Sequence, residues 1–488
     1  MLHLDRKDLI VSHAWIANKR VASSDGQTFG VENPADESLL TEVADCGAAE
    51  ARAAAEAAVS AFSSWRKLLA NERAAHLQAW LALVRKNQED LARLISLEQG
   101  KPLAESRGEV AYGAAYIEWF AEEAKRTYGD VIPETAPGRK IIVTKEPIGV
   151  AAAITPWNFP IAMLARKIAP ALAAGCTIVA KPAEDTPLSA LALALLASEA
   201  GIPAGVINVV PASRQHAESV ANGWLSDQRV RKLSFTGSTA VGKYLAGASA
   251  PTLKRLSLEL GGNAPFIVFE DADLDQAIKG MIAAKFRNAG QTCICANRIY
   301  VADSIYDEFT ERAVQAVAKL RVGRAGEGNA EIGPLINFRA VEKVERHVNN
   351  AVQRGARLLI GGKRHPLGRY FFEPTVLADV DATMDLACEE TFGPVAPLFR
   401  FQTEDEVVAA ANSSPFALAA YFYSRDIARV MRVSASLEAG MIGINEAAIS
   451  TEVAPFGGVK DSGYGREGSL YGIDEYLQTK YLCLGGLS

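Results

Sequence analysis

The fold of this chain is decided by residues 149–184, which read GVAAAITPWNFPIAMLARKIAPALAAGCTIVAKPAE. Val150 to Ile154 is a short apolar run, and Ala162 to Ala174 is rich in helix-forming residues. Thr177 to Ala180 is again apolar and carries β-branched side chains. A strand, a helix and a second strand at this spacing predict two parallel strands joined by a crossover helix.

The same alternation continues on both sides of this stretch. Downstream, we expect further elements at 189–200 (helix), 206–210 (strand), 232–235 (strand), 264–269 (strand), 305–319 (helix) and 340–354 (helix). Upstream, residues 48–85 and 88–99 are rich in helix formers. Residues 125–142 contain Gly and Pro and predict a hairpin-like excursion, while Lys480 to Leu484 is an apolar strand that needs a partner. These patterns predict an α/β fold.

The composition excludes several classes of function. The 488 residues are too many for one compact core, and a net charge of −6 leaves no basic surface for nucleic acid. The six cysteines are too scattered for a disulfide scaffold. The first residues lack the apolar segment of a signal peptide, and the longest weakly polar run, Ile168 to Ala180, is too short to span a bilayer. We expect a reduced, soluble, cytoplasmic protein that binds neither nucleic acid nor membrane.

A cysteine loop carries the clearest sign of chemistry. The segment FRNAGQTCICANR, residues 286–298, places Cys293 in a polar, glycine-containing loop. Glu259 ends a candidate strand and is followed by Gly261 and Gly262. A thiol nucleophile and a carboxylate base predict covalent catalysis through sulfur. None of the six histidines lies in a motif, which disfavours a cysteine–histidine hydrolase.

Two turns add to this prediction. Asn158 lies between Pro156 and Pro160, where its amide could hold an oxyanion together with the N–H of Cys293, or could cap the following helix. Gly237 and Ser238 follow a candidate strand and open a helix, a position at which backbone N–H groups bind phosphate.

Five motifs together resemble the NAD(P)-dependent aldehyde dehydrogenase superfamily, and within it the succinate-semialdehyde dehydrogenases. They are TPWNFP at 155–160, FTGST at 235–239, ELGG at 259–262, the cysteine loop, and EETFGP at 389–394. The resemblance implies a Rossmann-type nucleotide-binding domain (1–124 and 147–258), an α/β catalytic domain (259–467) and a β oligomerisation arm (125–146 and 468–488). It further implies a homodimer or homotetramer.

The resemblance also implies roles for individual residues. Cys293 would be the nucleophile, Glu259 the base that activates the hydrolytic water, and Asn158 the oxyanion donor. The implied contacts to NAD are Thr155, Trp157, Lys181, Glu184, Gly237, Ser238, Glu390 and Phe392. Glu184 would accept hydrogen bonds from ribose hydroxyls and repel a 2′-phosphate by about 4 kcal/mol at roughly 4 Å. NAD is therefore favoured over NADP, and no metal is expected.

Three residues keep two interpretations. Lys167 and Glu467 match positions that the family associates with proton relay, but they could equally be structural ion-pair partners. Cys295 matches a redox partner of Cys293, but it could equally be a packed neighbouring thiol.

A substrate with its own anionic group is suggested by two arginines near the thiol. Arg166 follows the Asn158 turn, Arg287 precedes Cys293, and Ser450 could add a hydroxyl donor. Succinate-semialdehyde dehydrogenases carry this set; the alternative for each arginine is a solvent-facing ion pair. Ala447 and Ala448 depart from the pattern of close relatives and are expected to narrow or reshape the mouth of the site.

We therefore predict an NAD-dependent aldehyde dehydrogenase that oxidises succinate semialdehyde to succinate through a cysteine thiohemiacetal and thioester. Glutarate semialdehyde and a broad range of aldehydes are the alternative substrates. A cysteine hydrolase or thioesterase would not explain the nucleotide motifs. A non-catalytic binding protein would not explain the joint presence of Cys293, Glu259 and Asn158.

Overall fold

The structure is a computed structural model and describes residues 2–486. Its strands are Ala14–Ile16 (β1), Lys19–Val21 (β2), Thr28–Glu32 (β3), Leu39–Ala44 (β4), Asp130–Ile132 (β5), Lys140–Pro147 (β6), Val150–Ile154 (β7), Thr177–Lys181 (β8), Ile207–Val209 (β9), Val230–Thr236 (β10), Arg255–Glu259 (β11), Ala264–Val268 (β12), Ala296–Ala302 (β13), Arg357–Ile360 (β14), Thr375–Ala378 (β15), Val395–Phe401 (β16), Phe416–Ala417 (β17), Ala419–Tyr423 (β18), Met441–Ile444 (β19), Val459–Lys460 (β20), Gly463–Tyr464 (β21) and Leu477–Leu484 (β22).

The helices complete the secondary structure. They are Ala48–Trp65 (α1), Ala70–Lys86 (α2), Gln88–Gln99 (α3), Leu103–Glu123 (α4), Pro160–Ala174 (α5), Pro187–Glu199 (α6), Ala217–Leu225 (α7), Thr239–Ser249 (α8), Leu274–Phe286 (α9), Tyr306–Val317 (α10), Phe338–Gln353 (α11), Asp385–Cys388 (α12), Glu404–Asn412 (α13), Ile427–Ser436 (α14) and Ser469–Asp474 (α15).

The first large sheet has the strand order β2-β1-β9-β8-β7-β10-β11-β21. Its five central strands, β9 to β11, run parallel, and antiparallel strands close both edges. Helix α5 is buried on every side, as expected for an apolar helix packed within a core rather than on its surface. The chain leaves β7 towards β8 on one side and returns to β10 on the other. The carboxyl ends of β7 and β10 therefore form a topological switch point, where α/β sheets bind ligands.

The second large sheet has the order β14-β15-β16-β13-β12-β18-β19 and is parallel except for the β14–β15 pair. A small sheet, β22-β6-β5, is formed by antiparallel strands from two distant parts of the chain. It carries exposed apolar side chains, namely Val131, Ile132, Tyr481, Leu482 and Leu484. The apolar strand predicted at Lys480 to Leu484 thus finds its partner in the predicted excursion.

The predicted α/β fold is confirmed, and β7, β8, α5 and α11 lie within a few residues of their predicted bounds. Two features differ. The helical stretch predicted at 48–85 is two helices broken at Arg66 to Leu69, and α4, the longest helix described, was not predicted. The domain boundaries stay a prediction, and their residues 1, 487 and 488 lie outside the described part. None of the helices described is long and apolar enough to cross a membrane.

Candidate active site

A cavity of about 350 Å³ opens at the switch point between β7 and β10. Residues predicted from four separate motifs meet around it: Trp157, Asn158, Gly237, Ser238, Cys293, Glu390 and Phe392. Trp157 and Asn158 follow β7, whereas Gly237 and Ser238 follow β10. The parallel sheet therefore brings these sequence-distant residues together because its strands end at one edge.

The start of α8 provides a phosphate-type site in this cavity. Ser238 is the N-cap of α8, and its hydroxyl accepts a hydrogen bond from the N–H of Val241 (3.4 Å). The first N–H groups of a helix lack partners within the helix and carry partial positive charge. Gly237 precedes the cap, so backbone groups are exposed at this end of the cavity.

The opposite wall is formed by the segment that follows α12. Glu390 accepts a hydrogen bond from the N–H of Gly262 (3.2 Å), and burial raises the pKa of Glu390 to about 7. The Phe392 ring meets the Trp157 ring edge-on at 5.4 Å. Phe392 has a φ of 55°, a left-handed conformation that is unfavourable for a non-glycine residue and is concentrated at functional sites.

A second cavity of about 180 Å³ adjoins the first and contains Glu184. Both cavities are lined by Arg214, Ile336 and Asn337. Thr155 and Lys181 lie at the ends of β7 and β8; the N–H of Thr155 donates to the Lys181 carbonyl (3.1 Å), and Lys181 Nζ donates to the Pro182 carbonyl (3.0 Å). Neither residue lines the larger cavity. The two joined cavities, with a helix N-terminus in one and a carboxylate in the other, fit an extended dinucleotide.

Cys293 lies at the base of the larger cavity, held by a strained loop. Asn288 and Ala289 have φ values of 51° and 54°, and both are buried. A Cβ at Gly262 would lie 2.2 Å from the Cys293 carbonyl oxygen, so the loop after β11 packs against the cysteine loop only because Gly262 lacks a side chain. Burial raises the pKa of the Cys293 thiol to about 12, although Arg166 opposes the shift.

Asn158 is held directly beside the cysteine loop. Its Nδ2 donates to the Gln291 carbonyl (3.1 Å), and its own backbone carbonyl accepts from Lys101 Nζ (2.6 Å) and Asn288 Nδ2 (3.1 Å). Helix α5 begins at Pro160 without a side-chain cap, so Asn158 does not cap it. Among residues 2–486, Nδ2 makes no second hydrogen bond and the buried Oδ1 accepts none, so the second hydrogen of Nδ2 remains to donate to an oxyanion.

Glu259 ends β11 and is buried. Within residues 2–486, neither carboxyl oxygen of Glu259 has a hydrogen-bond partner. Burial raises the pKa of Glu259 well above its usual range, and the negative charge of Glu467 raises it further. Glu259 lines none of the three cavities described, whereas Leu260 and Gly261, which follow it, line the larger one. A buried carboxyl of raised pKa next to a cavity is a candidate general base or acid.

A buried ion pair network connects Glu467 to both Arg166 and Lys167. The carboxylate of Glu467 contacts Arg166 Nε and Lys167 Nζ, and Lys167 also contacts the hydroxyl of Ser234 (3.1 Å). Burial lowers the pKa of Lys167, whereas the two cations outweigh burial and lower the pKa of Glu467. Lys167 and Glu467 are therefore ion-pair partners; the relay role stays a prediction.

A small cavity of about 20 Å³ lies on the far side of the thiol. It is lined by Tyr112, Phe159, Met163, Arg166, Arg287, Thr292, Cys293, Ile294, Ser450 and Phe456. Both predicted arginines and Ser450 thus meet at one cavity with the nucleophile. Arg166 is buried and stacks over the Phe456 ring (4.0 Å), and exposed Arg287 lies over the Phe159 ring (4.9 Å).

Other predicted features lie outside these cavities. Ala447 and Ala448 do not line the small cavity; their N–H groups donate to Glu446 at 2.8 Å each, so we find no support for their narrowing its mouth. Cys295 is buried, and its thiol donates to the Lys285 carbonyl (3.4 Å). This geometry matches the packed-thiol alternative, and the redox role stays a prediction.

Several lining residues were not predicted. Arg214 follows β9 at the same sheet edge as the predicted residues. Because ligands bind at the carboxyl ends of parallel strands, its position after a predicted strand was a usable signal. Asn337, Arg339 and Lys343 belong to the start of α11. Charged residues on an amphipathic helix give no signal that separates them from a solvent-facing surface.

Comparisons with known proteins agree with this geometry. The profile of the aldehyde dehydrogenase family matches residues 21–482. The chain is 58% identical to 3-sulfolactaldehyde dehydrogenase of Pseudomonas putida, over 100% of both chains. It is 56% identical to the NADP(+) succinate-semialdehyde dehydrogenase of Escherichia coli K12 (99% of this chain, 100% of the relative) and 56% identical to glutarate-semialdehyde dehydrogenase of Pseudomonas aeruginosa (99% of both). The crystal structure of succinate-semialdehyde dehydrogenase from Burkholderia pseudomallei superposes with a TM-score of 0.98 at 57% identity, covering 99% of this chain and 100% of that one. With this fold, this cysteine site and these relatives, the chain belongs to the aldehyde dehydrogenase family of oxidoreductases.

Proposed function

We propose that this enzyme oxidises a short aldehyde with a distal anionic group, with succinate semialdehyde as the first candidate and NAD as the electron acceptor. One observation carries the choice of substrate. Arg166 is buried, and among the residues described its Nη1 and Nη2 have no hydrogen-bond partner. Buried polar groups in proteins are normally hydrogen-bonded. A guanidinium fork left open at a cavity beside the nucleophile fits a planar anion, which it can hold with two parallel hydrogen bonds.

The size of the small cavity favours a short substrate. Cys293 and Arg166 line the same cavity of about 20 Å³, and so small a cavity favours a short chain between the aldehyde and the anionic group. Succinate semialdehyde and 3-sulfolactaldehyde place their anionic groups equally far from the aldehyde carbon, whereas glutarate semialdehyde is one methylene longer. The relatives at 56–58% identity have each of these substrates in their names, so identity alone does not choose among them. We favour the two shorter substrates.

The first half of the reaction uses Cys293 and Asn158. The Cys293 thiol releases its proton to solvent, and the resulting thiolate attacks the aldehyde carbon. The second hydrogen of Asn158 Nδ2, together with the Cys293 N–H, donates to the oxygen that becomes negative. Arg166 positions the substrate by its anionic end and also lowers the pKa of the thiol against the effect of burial. When bound, NAD supplies the hydride acceptor; Trp157, Gly237, Ser238, Glu390 and Phe392 would hold it in the larger cavity and Glu184 in the adjoining one. Thr155 and Lys181 line neither cavity, and their contact with NAD stays a prediction.

The second half of the reaction uses Glu259. Loss of hydride from the former aldehyde carbon leaves a thioester at Cys293, which is attacked by a water whose proton passes to the Glu259 carboxylate. The acid then leaves, and the proton returns from Glu259 to the Cys293 sulfur and restores the thiol. Because the pKa of Glu259 is raised, lowering the pH reduces the fraction of enzyme molecules in which Glu259 is ionised and can act as a base. Glu467 and Lys167 lie close enough in the buried network to influence this charge, which is the basis for their proposed relay role.

A panel of four aldehydes tests the proposal by NADH absorbance at 340 nm. We expect kcat/KM to rank succinate semialdehyde and 3-sulfolactaldehyde above glutarate semialdehyde, and all three above butyraldehyde. Equal kcat/KM values for butyraldehyde and succinate semialdehyde would refute the proposal that Arg166 binds the anionic group of the substrate. The enzyme would then be a general aldehyde dehydrogenase. A preference for glutarate semialdehyde would contradict the argument from cavity size.

Two further features support parts of the proposal. Glu184 lines the cavity that adjoins the proposed nicotinamide side, where its charge would disfavour a 2′-phosphate, so we propose NAD over NADP. The exposed apolar side chains of the β22-β6-β5 sheet fit burial against a second copy of the chain, so we propose a homodimer or homotetramer assembled through it.

A further inference from the structure

His347 links α11 to the segment that carries Glu390. Its side chain is completely buried, and its two ring nitrogens contact the residues on either side of Glu390. Nδ1 lies 3.2 Å from the hydroxyl of Thr391, and Nε2 lies 3.1 Å from Oε2 of Glu389. Neither ring nitrogen of His347 contacts Glu390, which lines the larger cavity. One imidazole therefore holds the residue before and the residue after a predicted cofactor contact.

The protonation of His347 fixes the direction of both hydrogen bonds. Burial lowers the pKa of His347 from its ordinary value, against an opposing effect of Glu389, so the ring is neutral at pH 7. The Glu389 carboxylate can only accept, so Nε2 carries the hydrogen and donates to it. Nδ1 then accepts from the hydroxyl of Thr391. Arg346 Nη2 donates to the same Glu389 oxygen at 2.7 Å, so α11 holds this carboxylate from two side chains.

The held segment has a conformation that it would not adopt by itself. Phe392 has its φ of 55°, which persists only where the surroundings enforce it. A Cβ at Gly393 would lie 2.3 Å from Val344 Cγ2, so the backbone after Phe392 packs tightly onto α11 one turn before His347. Glu390, Thr391 and Phe392 all line the larger cavity. Loss of the restraint from α11 would therefore change what the cavity presents to a ligand.

We propose that His347 is a positioning residue for the nicotinamide half of the cofactor, which it serves by fixing Glu389 and Thr391 so that Glu390 and Phe392 face the cavity. The proposal rests on the proposed function, because it takes Glu390 and Phe392 as cofactor contacts. It assigns His347 no contact with cofactor or substrate. The adenosine half, at the other end of the joined cavities, should be indifferent to His347.

Three substitutions at this position separate the two hydrogen bonds. His347→Asn keeps a polar atom near the position of Nδ1, His347→Gln keeps one near Nε2, and His347→Ala keeps neither. Val348→Ala is the matched control, because Val348 is the next residue of α11 and is buried in the core away from the cavity. Affinities for NAD and for ADP, which lacks the nicotinamide and its ribose, are measured by titration calorimetry.

We expect His347→Ala to weaken NAD binding about tenfold, with ADP binding changed less than about twofold. The Asn and Gln variants should fall between the parent and His347→Ala, and either one carries the test if the alanine variant does not fold. Val348→Ala should lower the melting temperature without changing the ratio of the two affinities. Glu390→Ala should also weaken NAD binding selectively.

Three results would overturn the proposal. An unchanged ratio of NAD to ADP affinity in all three His347 variants, with a selective loss in Glu390→Ala, would refute the role of His347 and leave the proposed site intact. An equal loss of both affinities would show general damage rather than positioning. If Glu390→Ala leaves NAD binding unchanged, Glu390 is not a cofactor contact, and both the proposal and that part of the proposed site fail.

Discussion

Arg166→Lys offers the sharpest test of the substrate site. The substitution keeps a positive charge next to Glu467 but replaces the open fork, Nη1 and Nη2, with a single ammonium group. A hydrogen bond to a charged group contributes about 1.5–3 kcal/mol, and the loss of one such bond corresponds to about a tenfold to 150-fold loss in kcat/KM. Because residue 166 is buried, water has little access to replace the hydrogen bond that the substrate's anionic group loses.

The assay compares kcat/KM for succinate semialdehyde and butyraldehyde by NADH formation. We expect the loss with succinate semialdehyde only, while butyraldehyde, which has no anionic group, changes less than about threefold. Arg73→Lys is a matched control, since Arg73 is also buried and donates to the Ala173 carbonyl (3.0 Å) away from the cavities. Equal losses with both aldehydes would refute the clamp and show instead that Arg166 acts through the Glu467 network.

Three other changes have expected outcomes. Glu259→Gln should release one equivalent of NADH in a burst and then stall at the thioester, and steady turnover equal to the parent would exclude Glu259 as the base. The raised pKa of Glu259 stabilises the fold fully below pH about 4.5, and this contribution is lost as pH rises through the folded value, so the melting temperature of Glu259→Gln should depend less on rising pH than that of the parent. Glu184→Ser should reduce the preference for NAD over NADP by about tenfold in kcat/KM, and an unchanged ratio would place cofactor choice elsewhere. Tyr481→Glu should shift the mass measured by light scattering towards smaller assemblies, whereas an unchanged mass would exclude the arm surface as the contact.

Local patterns predicted the strands and helices whose burial is uniform. Val150 to Ile154 is apolar throughout, Ala162 to Ala174 is apolar apart from Arg166 and Lys167, and both became buried elements. The unpredicted helix α4 mixes charged residues, aromatic residues and two glycines, so its sequence has only a weak helical pattern. Its packing against α5, which no local pattern shows, holds it in the fold. The antiparallel strand β21 joins the sheet that contains β11 from far along the chain, a pairing that no local pattern indicates.

The candidate site shows the same division. Cys293, Glu259 and Asn158 lie in motifs whose residue types and order can be recognised from the chain alone. The contact between Arg166 and Glu467 spans 301 positions, and His347 lies 42 residues before Glu389. Such pairs depend on how distant elements pack, which no sequence window contains. The exposure of Arg287 next to the burial of Arg166 likewise follows from tertiary structure.

The high pKa of the Cys293 thiol has a consequence for the resting enzyme. With its pKa raised to about 12, Cys293 is held almost entirely as the neutral thiol at pH 7. Alkylating agents and peroxides react with thiolates, so an idle molecule presents them with an inert sulfur. Arg166, whose positive charge lowers the pKa of the thiol, lines the small cavity in which we propose that the aldehyde binds. Chemical damage between turnovers is therefore limited by the same burial that makes deprotonation of the nucleophile the demanding step of each turnover.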